Sequence, residues 1–205
     1  FLVVDGMSIQ AAVDAASAGD TIVVLDGSYG PVSIDKALTL LSATDGGAVI
    51  TGAGVNQGAG IRIEAGVDGV TIGGPGQGFA IAAGAGDLAA VYAVGDNADL
   101  RLEGNTVSGG AVSAFLAGGA NGAGLSDATI LDNTFSGNGP GPVFYVNGAA
   151  SLGVAASGNA IAGNVDAGGA GAGLLAGVES DGGTIVGNRF EGSASYAALE
   201  VFGAG

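Results

Sequence analysis

The second half of the chain repeats a ten-residue pattern in which strand-like alternation leads to an Asn and an apolar residue follows two positions later. The four copies are LRLEGNTVSG (100–109), ATILDNTFSG (128–137), VAASGNAIAG (154–163) and GTIVGNRFEG (183–192). Their Asn residues are Asn105, Asn133, Asn159 and Asn188, which are 28, 26 and 29 positions apart. A spacing of this size indicates structural units that stack on one another.

A second strand-like segment lies in each unit, and Gly-rich turns connect it to the repeat. These segments are IRIEAG (61–66), VYAVG (91–95), VSAFLAG (112–118), VFYVNG (143–148), GLLAG (173–177) and LEVFG (199–203). Several short strands per unit, with no helical periodicity between them, exclude alternating strand and helix units. The pattern predicts an all-β chain in which each strand pairs in parallel with its equivalent one coil further on, a parallel β-helix.

The recurring Asn has a structural explanation in such a coil. Equivalent residues of successive coils lie about 4.8 Å apart, close enough for side-chain amides to stack and hydrogen bond. We therefore expect Asn105, Asn133, Asn159 and Asn188 to form an amide ladder at one bend.

The first 19 residues predict a cap for the coil, and residues 20–205 predict a single β-helix domain. Ser8 is the expected N-cap of a short helix, with Ile9, Ala12, Val13 and Ala16 on one face and Gly19 at its end. This helix should cover the open end and block end-to-end aggregation. The last strand has no comparable cap, so we expect another β-helix segment to cover it, as for a fragment of a longer chain.

Composition narrows the possible functions. The chain has 19 acidic residues against 4 basic ones and a net charge of -15, so nucleic acid is a poor partner. It contains no His and no Cys, which excludes Ser-His-Asp and Cys-His catalysis within the chain as well as thiolate metal sites. Its longest apolar run, 167–178, is too short to insert in a membrane. No cofactor is required, and Ca²⁺ is the metal that carboxylates alone would favour.

The stretch 8–43 resembles the opening of right-handed parallel β-helix domains of the pectin-lyase-like superfamily. In that family a capping helix leads into GDTI, here 19–22, then a G-x-Y turn, here 27–29, then K-x-L-T-L, here 36–40. The resemblance implies a right-handed parallel β-helix from a bacterial secreted or cell-surface protein. The family includes lyases, hydrolases, epimerases and non-catalytic adhesin segments. The motifs of polygalacturonase-like and alginate-epimerase-like members contain His and are absent here.

One acidic set is a candidate site. A degenerate earlier copy of the repeat, GVTIGG (69–74), has Gly74 in the Asn position. Asp68, Asp99 and Asp127 lie six positions before Gly74, Asn105 and Asn133, which predicts one carboxylate per coil in a single column. Three interpretations remain open: solvated turn residues, a Ca²⁺ site, or a catalytic pair formed by Asp99 and Asp127.

An aromatic set is the second candidate. Tyr92, Phe115 and Tyr145 fall near one position of the second strand class in three successive coils. Facing inward they would form a core stack, and facing outward they would form a strip that binds glycan.

The sequence as a whole predicts a non-catalytic extracellular module, structural or adhesin-like, with glycan and calcium as candidate ligands. The alternative is a carbohydrate-active enzyme, a polysaccharide lyase or glycoside hydrolase that uses carboxylates on the outer face.

Overall fold

Strands of successive coils pair side by side in three long parallel sheets. The computed structural model describes residues 1–54, 58–118, 125–136, 144–147, 160–166, 174–177, 184–190 and 199–202. Within them one short helix precedes the coils, and all pairings between strands are parallel. The predicted all-β parallel β-helix is confirmed.

Each complete coil contributes one strand to each sheet. Sheet 1 contains β1 (Leu2–Val3), β2 (Thr21–Val24), β5 (Thr39–Ser42), β8 (Thr71–Gly73), β12 (Arg101–Glu103), β16 (Thr129–Leu131), β19 (Ala160–Ala162) and β22 (Thr184–Val186). Sheet 2 contains β3 (Gly27–Tyr29), β6 (Ala48–Thr51), β9 (Ala80–Ala82), β13 (Thr106–Ser108), β17 (Thr134–Ser136), β20 (Val165–Asp166) and β23 (Arg189–Phe190). Sheet 3 contains β4 (Val32–Ile34), β7 (Ala59–Ile63), β10 (Ala89–Ala93), β14 (Phe115–Ala117), β18 (Phe144–Asn147), β21 (Leu174–Gly177) and β24 (Leu199–Phe202). A small pair, β11 (Asn97–Ala98) and β15 (Leu125–Ser126), lies in the turn from sheet 3 to sheet 1.

The core is built from apolar columns that run from coil to coil. In sheet 1 the register aligns the buried side chains Ile22, Leu40, Ile72, Leu102, Ile130 and Ile161. Strand alternation sends their neighbours to the outer face, so one residue in two fills the interior.

The Asn ladder forms at the bend between sheets 1 and 2. Asn133 Oδ1 accepts hydrogen bonds from the backbone N–H and the Nδ2 of Asn105, at 2.9 and 3.1 Å. The backbone N–H and the Nδ2 of Asn133 both donate to Asn164 Oδ1. The same two groups of Asn164 donate to Asn188 Oδ1. Each Nδ2 also reaches the strand carbonyl of the preceding coil, as that of Asn133 does at Leu102. The buried amides therefore link successive coils through both their oxygen and their nitrogen.

The third member of the ladder is Asn164, where the sequence had indicated Asn159. β19 and Asn164 repeat the order of β16 and Asn133, because Ile161 pairs with Ile130 in sheet 1. The alignment that selected Asn159 was thus displaced by five positions, and Asn159 itself lies outside the described residues.

The residue before each ladder Asn has a left-handed backbone. Gly104, Asp132, Gly163 and Gly187 have φ values of 70°, 53°, 65° and 65°. Gly adopts this conformation without strain and Asp tolerates it, which explains the recurring Gly-Asn and Asp-Asn pairs.

The N-terminal helix, α1 (Ile9–Ala15), forms where it was predicted. Ser8 Oγ accepts from the Ala11 N–H at 3.3 Å, and Ile9, Val13 and Ala16 are buried against the first coil. The helix stops at Ala15, however, because Ala16 is already extended; Gly19, at φ 88°, makes a later turn instead of ending the helix. Among the described residues, no helix is long and apolar enough to cross a bilayer.

Two polar side chains attach this helix to the first strand of sheet 3. The amide of Gln10 accepts from the Ser33 N–H at 2.7 Å and donates to the Ser33 carbonyl at 3.1 Å, as a neighbouring strand would. Lys36 Nζ donates to the Val13 carbonyl at 3.0 Å, placing a positive charge at the helix C-terminus. The helix packs against β4 and also contacts β1 and β2, the first two strands of sheet 1.

We expect Asn133→Ala to lower the free energy of unfolding by about 3 kcal/mol, because it leaves buried partners in two neighbouring coils unpaired. Urea denaturation followed by circular dichroism measures the loss. Thr134→Ala is the matched control, since its side chain faces outward on the next residue and should cost less than about 0.5 kcal/mol. Equal losses in the two variants would show that the ladder contributes nothing specific.

Tyr29 gives the first coil a dependence on alkaline pH. Its hydroxyl donates to the Leu25 carbonyl at 2.7 Å, and its side chain is buried. Burial first, and then the negative charges of Asp5 and Asp26, raise the pKa of the Tyr29 hydroxyl above its ordinary value of 10.0. Above about pH 10 the unfolded state therefore loses this proton while the native state keeps it.

We predict that the free energy of unfolding falls as pH rises from about 10 through the native pKa of Tyr29, because the native state binds more protons in that window. Tyr29→Phe should remove this contribution and flatten the profile. The measurement is urea denaturation across this alkaline range for both proteins. Parallel profiles would contradict the assignment.

Candidate functional site

Asp99 and Asp127 are neighbours on adjacent coils, in the turn that leads into sheet 1. The pairing of β11 with β15 places them at the same position, and both side chains are exposed. Both have left-handed backbones, with φ values of 55° and 52°. The Asp99 N–H donates to the Ser126 carbonyl at 3.0 Å, so this turn is tied to the next coil by its backbone. The turn-residue interpretation explains why Asp occurs here.

Asp68 does not belong to that column. The register of sheet 1 pairs Thr71 with Arg101, which sets Gly69 opposite Asp99 and Asp68 opposite Ala98. Asp68 Oδ1 accepts from the Ala98 N–H at 2.7 Å, which ties it to the backbone of the next coil. The prediction of one column failed because Gly73 pairs with Glu103, which sets Gly74 opposite Gly104 and not opposite Asn105. The residue opposite Asn105 in sheet 2 is Phe79, whose N–H donates to Asn105 Oδ1.

The described residues contain no group of three or more carboxylates arranged to hold a metal ion. Calcium at Asp68, Asp99 and Asp127 is one of the three interpretations given above, and the structure sets two of its three ligands side by side and the third in a neighbouring column.

Lys36, Arg62 and Arg101 each make polar contacts within the coil. Lys36 contacts the helix carbonyls and Asp35. Arg62 Nε lies 2.9 Å from Glu64 Oε1, and Arg101 Nε lies 2.7 Å from Glu103 Oε2. Each Arg and its Glu are two residues apart, so strand alternation puts both on the same outer face. This Arg-x-Glu spacing was visible in the sequence, and it had not been recognised as an ion-pair signal.

The outer face of sheet 3 carries polar, charged, aromatic and aliphatic side chains in one column. Ser33, Arg62, Tyr92 and Leu116 align by register, one per coil. Ser33 Oγ donates to Glu64 Oε1 at 2.5 Å, and the Arg62 guanidinium carbon lies 5.5 Å from the centre of the Tyr92 ring. Such a distance is typical of a cation–π contact.

The aromatic residues divide between the two faces of this sheet. Phe115 pairs with Val91, is 0% exposed and packs in the main core, so it cannot contact a glycan. Tyr92 lies on the outer face but is only 8% exposed, because it packs in a second small cluster with Leu116, Val94 and Val112. The register places Tyr145 in the column of Tyr92, and its side chain lies outside the described part of the structure. The three residues therefore do not form one strip.

Two carboxylates of the described residues are buried, and one of them, Asp87, was missed by the sequence reasoning. Asp87 is fully buried, and its Oδ2 accepts from the Gly84 N–H at 2.7 Å. Glu103 is 5% exposed on the outer face of sheet 1, beside Arg101. The carboxylate of Asp87 lies so close to Gly52 that any side chain at Gly52 would overlap it.

Comparisons with known proteins add little about function. No family model matches the chain, and no curated protein matches it. Among solved structures it is similar to the crystal structure of a "putative glycosyl hydrolase" from Parabacteroides merdae ATCC 43184, with 13% identity and a TM-score of 0.48 over 98% of this chain and 96% of that one. A likeness this distant carries no conclusion about activity.

Substitutions at Asp99 distinguish two interpretations of this residue, a turn residue and a calcium ligand. We expect Asp99→Gly to leave the melting temperature unchanged, because Gly adopts this φ freely, and Asp99→Val to cost about 1–2 kcal/mol. Thermal melts in calcium and in chelator should coincide for both the parent chain and Asp99→Gly. A calcium-dependent melt that disappears in Asp99→Gly, but persists in the control Asp45→Asn in a distant turn, would instead establish a metal site.

Proposed function

We propose that the chain is a non-catalytic structural module of the adhesin-like kind, from a secreted or cell-surface bacterial protein. We also propose that it is a right-handed member of the pectin-lyase-like superfamily. The motifs at 19–22, 27–29 and 36–40 support this assignment, together with the confirmed parallel coil. An acidic chain without Cys or His fits an extracellular spacer, and its charge of -15 argues against a nucleic-acid partner.

The observation that carries the proposal is that charged groups are engaged in holding the coil together. A lyase needs a basic side chain poised to remove a proton from its substrate. Arg62 and Arg101 are each paired with a Glu, and Lys36 is bound to helix carbonyls. Each of these cations therefore has a structural role within its own coil.

Asp99 and Asp127 give equally little support to hydrolysis. A retaining glycosidase needs two carboxyl groups about 5–5.5 Å apart, with the acid in a pocket that keeps it protonated. Adjacent coils bring the two backbones to a comparable separation, but both side chains are exposed to water in a left-handed turn. Their position fits a solvated turn better than an acid and its partner.

The coil is well suited to act as a spacer. The Asn ladder and the apolar columns continue from one coil to the next, so each coil is supported by its neighbours on both sides. Repeat architectures of this kind are extended, and their length grows with the number of units.

Polysaccharide remains a candidate partner for the outer face of sheet 3. Arg62 and Glu64 are partly exposed there and offer charged hydrogen-bonding groups. The ring of Tyr92 is covered, so any binding would rely on these polar groups more than on stacking.

The test is a panel of uronic-acid and neutral polysaccharides with calcium, followed by absorbance of unsaturated products and by new reducing ends. We expect no turnover by the folded chain. Turnover that is lost in Asp99→Gly or Asp127→Gly, both of which should remain folded, would make the chain a carbohydrate-active enzyme.

The same panel run as affinity electrophoresis measures binding. Retardation by one polysaccharide that is lost in Arg62→Gln, but kept in the outward-facing control Thr106→Ser, would place glycan binding on sheet 3. Retardation insensitive to Arg62→Gln would move the binding surface elsewhere.

A further inference from the structure

The dipeptide Asp-Gly occurs at four places among the described residues. They are Asp5–Gly6, Asp26–Gly27, Asp45–Gly46 and Asp68–Gly69; a fifth, Asp181–Gly182, lies outside the described residues. In such a pair the Gly nitrogen can attack the carboxyl carbon of the Asp before it, because Gly has no side chain to obstruct the approach. The attack needs a Gly N–H and an Asp carboxyl group that are free to move toward each other. Hydrogen bonds therefore decide which pair reacts.

Three of these pairs hold the Gly N–H in a hydrogen bond to the following coil. The bonds run from Gly27 to the Gly47 carbonyl at 3.1 Å, from Gly46 to the Gly78 carbonyl at 2.8 Å and from Gly69 to the Ala98 carbonyl at 3.0 Å. A bonded N–H is less able to lose its proton or to rotate toward the carboxyl group. The coil thus protects these three pairs at the nitrogen.

Two of the three pairs are held at the carboxylate as well. Asp26 Oδ1 accepts from Thr44 Oγ1 at 2.6 Å. Asp68 Oδ1 accepts from the Ala98 N–H at 2.7 Å. In these two bends both reacting groups are therefore engaged with the next coil.

Asp5 and Gly6 lack this protection. No described residue accepts a hydrogen bond from the Gly6 N–H, and none donates one to the Asp5 carboxylate. Both residues are exposed to solvent. The two reacting groups of this pair are therefore free, whereas the Gly N–H of each other described pair is bonded.

The difference comes from the path of the chain after the bend. The register of β1 with β2 sets Asp5–Gly6 opposite Asp26–Gly27, the same dipeptide one coil further on. Gly27 opens β3 and pairs with β6, whereas Gly6 leads toward helix α1. The Met7 N–H donates to the Val4 carbonyl at 3.0 Å, and Gly6 has a φ of 82°, as at the third position of a type II turn. The coil next to Gly6 is described, and it supplies no acceptor for the peptide at the centre of this turn.

We propose that Asp5 is a site of spontaneous modification, at which isoaspartate forms through a cyclic imide with Gly6. The Gly6 nitrogen loses its proton to water and attacks Asp5 Cγ. A bond forms between the nitrogen and Cγ, and one carboxyl oxygen leaves as water. Water then adds to either carbonyl of the imide and breaks its bond to the nitrogen. Opening at Cγ restores aspartate, and opening at the backbone carbonyl gives isoaspartate.

Isoaspartate at this position changes the connection between β1 and α1. The chain then runs through Cγ, which adds one carbon atom to the backbone of the turn. On one side the Leu25 N–H holds the Val3 carbonyl at 2.8 Å, and on the other Ser8 caps α1. Both ends are fixed, so the turn between them has to absorb the extra atom. We expect the modified chain to hold α1 less firmly and to melt at a lower temperature. This inference is independent of the structural role proposed above.

The test is prolonged incubation of the folded chain at neutral pH and body temperature. Peptide mapping with electron-transfer fragmentation distinguishes isoaspartate from aspartate at each position. Isoaspartate should form at Asp5 about tenfold faster or more than at Asp26, because the Gly27 N–H must first leave a hydrogen bond. Formation at Asp26, Asp45 or Asp68 as fast as at Asp5 would overturn the proposal.

Incubation in urea separates the effect of the fold from that of the neighbouring sequence. Unfolding removes the protection, so the four pairs should then react at similar rates. If Asp5 kept the same advantage over Asp26 in urea, its neighbours in the sequence would explain the preference, and the proposal would be wrong. An Asp5 that reacts in urea but not in the folded chain would overturn it as well.

The blocking variant is Asp5→Glu, because the longer side chain would have to close a larger ring, which forms much more slowly. Asp35→Glu is the matched control, the same change at an exposed Asp that precedes a Lys. After incubation the parent chain and Asp35→Glu should contain isoaspartate at position 5 and a fraction that melts at a lower temperature. Asp5→Glu should show neither. An incubated Asp5→Glu that loses as much stability as the parent chain would contradict the proposed effect on the helix.

Discussion

Spacing between coils is the constraint on which the rest of the structure depends, and the Asn ladder is where it is most tightly enforced. After Asn105, each ladder oxygen accepts two hydrogen bonds from the Asn of the preceding coil, as Asn133 does from Asn105 and Asn164 does from Asn133. Such a pattern is possible only if the two coils are one strand spacing apart. Because these amides are buried, a coil that shifts its register would leave several polar groups unpaired. The ladder thereby aligns the strands of sheets 1 and 2, and with them the columns of the core.

The bend that carries the ladder also explains why Gly and Asp occur at particular positions. A sharp bend of two residues separates β12 from β13, and the first of them needs a left-handed backbone. Gly meets this requirement at Gly104, Gly163 and Gly187, and Asp132 meets it in the coil between. Asp99 and Asp127 play the same part at the turn into sheet 1. Several of the aspartates that stand out in the sequence are thus explained by backbone conformation, without reference to a ligand.

The features that could be predicted from the sequence are those that repeat along it. The fold, the helix and Asn105, Asn133 and Asn188 were accessible, because they depend on period and alternation. Asn164 was missed because Asn159 offers the same Gly-Asn pair five residues earlier, and only strand pairing distinguishes them. Asp68 was misplaced for a related reason: Gly74 stands opposite Gly104 in the register of sheet 1, so counting from Gly74 as the equivalent of Asn105 gives a position that is wrong by one. The faces of Tyr92 and Phe115 were likewise inaccessible, since neighbouring positions on a strand differ only in the direction of the side chain.

Charge governs the outer faces of the coil. These faces carry paired charges such as Arg62 with Glu64, and the excess of acidic residues makes copies that approach side by side repel one another. The ion pairs thus tie neighbouring residues of one coil together, while the remaining acidic charge keeps the flanks of separate copies apart. A chain with this distribution of charge stays separate along its length, which is what a spacer requires.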